Sequence, residues 1–149
     1  MKQSNFIRRL AFGLCLMIFA FLTAQAQEGL NVEKIFQRYG HAKGCKMVEM
    51  RNTSLKGYQM KVYKSLIYKS FASATINAYL KADRKAAKKI REVVDNGKMT
   101  SGYYMMAPLE KGINRYILFS NPSGNKGTVI YIEGDLSPDD IMKLCYSRR

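Results

Sequence analysis

The sequence predicts an α+β domain, in which an antiparallel sheet of four to five strands carries one long amphipathic helix and short helices form the N- and C-terminal ends. Three observations predict it. Val32, Ile35, Phe36 and Tyr39 recur at the spacing of one buried helix face. The stretch "SATINAYLKADRKAAKKIREVVDNG" puts Ala82, Ala86, Ile90, Val93 and Val94 on one side of a helix and cations on the other. The last third is rich in tyrosine and β-branched residues, and it is cut into segments by "EKG" and "NPSGNKG".

Ahead of these elements stands a leader. Lys2, Arg8 and Arg9 precede the apolar run "LAFGLCLMIFAFL", and "TAQAQ" closes it with Ala24 and Ala26 at the small-residue positions. This is the grammar of a secretory signal peptide cut between Ala26 and Gln27. The run is shorter than the roughly 20 apolar residues a membrane span needs. Cys15 sits in mid-run and reads as an ordinary leader residue. The expected organisation is a signal peptide over 1–26 and a single domain over 27–149. That domain would be exported to the periplasm or cell surface and would keep no transmembrane anchor after processing.

In "GLNVEKIFQRYG", Asn31 is a good N-cap, Leu30 can pack on Ile35, and Gly40 stops the helix. "CKMVEMR" is a short strand. "GYQMKVYKSLIYKS" is a second one with a polar face suited to a sheet edge, and its phase slips near Tyr63-Lys64. In the long helix that follows, Asp83 reads as the cap of a restart and Asn96-Gly97 as a left-handed helix end. "KMTSGYYMMAPL", "INRYILFS" and "GTVIYIEG" then form a meander. Ile117 and Phe119 face one way, and Tyr116 and Leu118 the other. Val129 to Ile132 is apolar on both sides, so that strand is either covered on both faces or exposes a binding surface.

Glu133, Asp135, Asp139 and Asp140 cluster near the end of a chain whose formal charge is +14. Most of this cluster reads as architecture. Ser137 is an N-cap and Pro138 occupies the first helical position. Asp139 and Asp140 meet the positive end of the helix dipole, with Ser137 and Asp140 at capping-box spacing and Leu136 stapled on Ile141. A calcium loop needs oxygen ligands at alternate positions and a distant glutamate, which "DLSPDD" lacks.

Other chemistry is equally sparse. His41 is the single histidine, and no "GxSxG", "HExxH" or "CxxC" pattern occurs. The expectation is a non-catalytic protein without metal or cofactor. Cys45 and Cys145 are the cysteines of the domain. In an oxidising compartment they permit one disulfide closing nearly the whole domain, and as separate thiols they are small hydrophobes. The sequence leaves both readings open. Arg84, Lys85, Lys88, Lys89 and Arg91 form a basic helix face, which either keeps the helix soluble or meets anionic glycans or lipopolysaccharide phosphates by counterion release. Export argues against nucleic acid.

The signal peptide, the helix "VEKIFQRYGHAKG", the strand "CKMVEMR" and the ending "TVIYIEGDLSPDDIMKL" together resemble small exported proteins of Bacteroidota grouped as domains of unknown function. The resemblance implies an α+β domain in the periplasm or at the cell surface, and it brings no catalytic residues. The function expected from all of this is an exported interaction or structural module. Its partner would be an envelope protein, or alternatively an anionic polymer such as a glycan or lipopolysaccharide. An enzyme with a dispersed site comes third.

Overall fold

Apolar residues at helical and alternating spacings divide the described residues into three helices and six strands. The computed structural model describes residues 29–146, so the signal peptide and its cut between Ala26 and Gln27 lie outside the described residues. In chain order the elements are α1 (Asn31–Tyr39), β1 (Lys46–Leu55), β2 (Tyr58–Lys69), α2 (Ser70–Arg84), β3 (Lys88–Asp95), β4 (Lys98–Glu110), β5 (Ile113–Ser120), β6 (Lys126–Gly134) and α3 (Pro138–Tyr146). The strands form one antiparallel sheet in the order β1-β2-β6-β5-β4-β3. β1 and β2 form a hairpin, α2 carries the chain to the far edge, and β3 to β6 return as a meander until β6 pairs with β2.

Two expectations are corrected. The sheet has six strands, not four to five, and no long helix spans the middle of the chain: α2 ends at Arg84, and residues 88–95 form edge strand β3. The reason lies in "KKIREVVDNGK". Ile90, Val93 and Val94 are β-branched and favour a pleated surface. Asn96 and Gly97 both adopt positive φ, 49° and 75°. A helix end asks for one such residue, whereas the two-residue turn of a β-hairpin asks for two. The same device, Lys56 at 49° and Gly57 at 84°, joins β1 to β2. β2 is therefore internal, flanked by β1 and β6, rather than an edge. Its irregularity falls between Met60 and Val62, slightly before the expected place.

Side-chain alternation gives the sheet two faces. On one, α1 and α2 bury Val62, Leu66, Tyr68, Ile117, Phe119, Val129 and Tyr131. Tyr68 is fully buried there only because its neighbour on β6 is Gly127, where any Cβ would collide with the phenol ring. The two helices are tied by Asp83 of α2. Its carboxylate accepts from the backbone N–H groups of Asn31 and Val32, both at 2.8 Å, and from Asn31 Nδ2 at 3.0 Å. The N-terminus of α1 is thus capped by a side chain 52 residues away, and Asp83 restarts no helix of its own.

On the other face, α3 covers one end of the sheet. Ile141 and Leu136 pack with Met60, Tyr116, Leu118 and Ile132 in a second buried cluster. The expected capping box is present at the start of α3: Ser137 N–H donates to Asp140 Oδ2 at 2.9 Å, and Asp140 N–H donates to Ser137 Oγ at 3.2 Å. Tyr116 Oη adds a hydrogen bond to the Leu136 carbonyl at 2.5 Å, which fixes the turn that leads into the helix.

Candidate functional site

The residues singled out by the sequence are dispersed by this architecture. Arg84 lies in the last turn of α2 and Lys85 in the following turn, while Lys88, Lys89 and Arg91 lie on β3. They form no single helix face. By register, Lys89 shares the α1/α2 face with Tyr104, whereas Lys88 and Arg91 share the opposite face with Met105 and Tyr103. Arg84 stacks its guanidinium over the rings of Tyr104 and Phe119, 5.8 and 5.5 Å from their centroids, and donates to Met99 Sδ at 2.8 Å. Arg91 stacks on Tyr146 of α3 at 4.6 Å.

The acids are engaged locally. Tyr131 Oη donates to Glu133 Oε1 at 2.6 Å, and burial together with that carboxylate pushes the Tyr131 phenol well above its ordinary range. Tyr104 Oη donates to Glu92 Oε1 at 2.5 Å. Burial first, and the carboxylate second, push the Tyr104 phenol up to about 12, while the donated hydrogen bond holds the Glu92 carboxyl below its ordinary value. Asp135 is exposed. Among the described residues no three histidine, cysteine or acidic side chains converge as a metal site would require. His41 is exposed in the α1–β1 turn. Cys45, half-buried just before β1, and Cys145, exposed on α3, are free thiols in this structure.

What the fold does assemble is a surface. Beyond α3, the face of the sheet opposite α1 and α2 is left without a covering element among the described residues. The row at its border runs Val48, Ser65, Ile130, Leu118, Tyr103, Arg91, with Leu118 buried in the α3 cluster and Tyr103 and Arg91 against Tyr146 of α3; the next row, Lys46, Ile67, Thr128, Ser120, Ser101, Val93, lies beyond it. Val48 is 44% exposed, and Ile67, Thr128, Ile130 and Tyr103 are half-buried. The rows end on Lys46 and Arg91. Lys69 pairs with Lys126 beyond them and Lys88 lies beside Met105, so cations border the apolar centre and no acid occupies these positions. The doubly apolar run from Val129 to Ile132 lies on internal strand β6, with Val129, Tyr131 and Ile132 buried and Ile130 half-buried at the border of this surface. The far edge of the surface is β3, which helical periodicity conceals.

A model for a family of unknown function, DUF6108, matches residues 19–145. The chain belongs to that family. No curated protein and no solved structure matches it. Membership in DUF6108 brings no activity with it, so what this DUF6108 chain can do must be argued from its own geometry. No helix among its described residues is long and apolar enough to cross a membrane.

Proposed function

We propose that the protein is an exported, non-catalytic interaction module of a Bacteroidota envelope, and that it holds a protein partner in the periplasm or at the cell surface. The supporting observation is the open half of the sheet. It presents Val48, Ile67 and Ile130 interleaved with small hydroxyls, and Lys46, Lys69 and Lys126 border it. Interfaces of this kind use an apolar centre for affinity and a charged rim for orientation and on-rate. The rim here selects a partner whose own apolar patch is bordered by Asp and Glu. The leader sequence supports export.

The test replaces exposed Val48 and half-buried Thr128 by Asp, and places a photo-crosslinking residue at Ile67 in cells. A stable adduct that co-purifies at high salt and disappears in V48D/T128D, while circular dichroism is unchanged, is the expected result. A second reading is a basic protein that binds anionic glycans or lipopolysaccharide, and it draws on the formal charge of +14. Retention on heparin or lipopolysaccharide that salt abolishes, and that is lost when Lys85, Lys88, Lys89 and Arg91 are made neutral, would replace the first reading by the second. Turnover of a substrate abolished by His41→Ala or Glu133→Gln would replace both with an enzyme.

A further inference from the structure

A cleft on the other side of the molecule is independent of that docking surface. It opens between α2, the β3–β4 turn and the loop from β5 to β6, as two adjoining cavities of about 560 and 300 Å³ that share Asn77, Met99 and Phe119. Pockets of a few hundred Å³ suit a small ligand. We propose that this cleft is a binding site for an acidic sugar, a hydroxyl-rich ring that carries one carboxylate.

Two features of the walls point to that chemistry. Asn77, Asn96 and Asn121 supply carboxamides, each able to donate and accept at once, which matches the paired hydroxyls of a sugar better than the edge of an apolar ligand. Of these, Asn121 has its backbone N–H committed to the Thr100 carbonyl at 2.7 Å and its Nδ2 to Ser73 Oγ at 3.3 Å, and its amide also meets the buried Tyr68 hydroxyl, which holds it in the wall of the cleft. The floor, Phe119 with Met99 beside it, is an apolar patch against which the C–H face of a pyranose packs.

The charge of the ligand follows from the smaller cavity. Lys81 and Arg84 both line it, and neither has a carboxylate within 4.0 Å among the described residues. Arg84 is further fixed in place by its two ring contacts and by Met99. A guanidinium held over two rings, beside the Lys81 ammonium, is a receptor for a single carboxylate. The amides of the larger cavity would take the ring hydroxyls, and Lys81 and Arg84 in the smaller one the acid.

The mature chain would be titrated with D-glucuronic acid, a glucuronate-containing tetrasaccharide and D-glucose, by calorimetry and by amide chemical shifts. Both acids are expected to bind and to shift the resonances of Asn77, Phe119 and Asn121, with glucose far weaker. If the monosaccharide binds as tightly as the tetrasaccharide, the source is free acidic sugar. If the tetrasaccharide is tighter, the source is a glycan chain. Lys81→Gln is expected to weaken both acids about fivefold, the scale of one solvated charge-assisted contact, and to leave glucose unchanged. Asn77→Ala, at an exposed helix position, is expected to weaken all three ligands with the rest of the spectrum undisturbed. Acids that bind no better than glucose, or acid binding untouched by both substitutions, would overturn the proposal. Because none of these residues lies on the open sheet face, the outcome is independent of the V48D/T128D experiment.

Discussion

Asp83 shows how one side chain settles a tertiary relation. Its carboxylate takes the place of a local cap for α1, so a residue near the end of α2 fixes where the first helix begins. It is only 6% exposed, so its removal strands the buried N–H of Val32 and the half-buried N–H of Asn31. Asp83→Ala is therefore expected to cost about 2–3 kcal/mol in a chemical denaturation experiment, the loss of a cap together with unpaired donors. Asp83→Asn keeps one acceptor oxygen and should lose less. If the two variants are equally unstable, the helices are held by packing and not by this carboxylate. Sequence reading marked Asp83 as a cap but chose the wrong helix. The spacing of Asp83 to its own neighbours is visible in the chain, whereas its partner 52 residues away is not.

Among the elements, α3 was the most legible, because its cap, first turn and staple are all encoded within a few residues. Ser137→Ala should cost about 1 kcal/mol, the ordinary worth of an N-cap. The Asp140 side of that box is pH-dependent. The Ser137 backbone N–H holds the Asp140 carboxyl below its ordinary value of 3.8. A carboxyl with a depressed folded pKa stabilises at and above its unfolded value, and it loses that contribution as the pH falls through the folded one. The acid limb of a stability-versus-pH curve should thus be shallower in Asp140→Asn than in the native chain. A parallel limb would show that the charge contributes nothing. β3 was the least legible element. Its cations and apolar residues satisfy a helical period as well as a strand would. The Asn96-Gly97 pair, which separates the two, reads as a helix end from the residues before it and as a hairpin turn only with the strand Lys98–Glu110 that follows. With β3 misplaced, a basic helix face was expected where the fold instead distributes Lys88, Lys89 and Arg91 over two faces of a sheet edge.

At the scale of the whole molecule, the two faces of one sheet are covered differently. α1 and α2 close one of them and leave a polar cleft at its rim, while α3 covers only part of the other. The α+β class and the meander were written in local patterns of tyrosine and β-branched residues, but the order of the strands was not, because pairing between β2 and β6 is a long-range choice. That pairing joins the β1–β2 hairpin to the β3–β6 meander. A chain ending at residue 125, which lacks β6 and α3, is expected to be unfolded by circular dichroism and to give a collapsed amide spectrum. A cooperative thermal transition in that fragment would mean that the hairpin and meander are separately stable.

The same seam sets the order of events during biosynthesis. β2 is made early and its inner neighbour nearly last, so the sheet cannot close while the C-terminal stretch is still being polymerised. Until then the hairpin and the meander have no strand to join them.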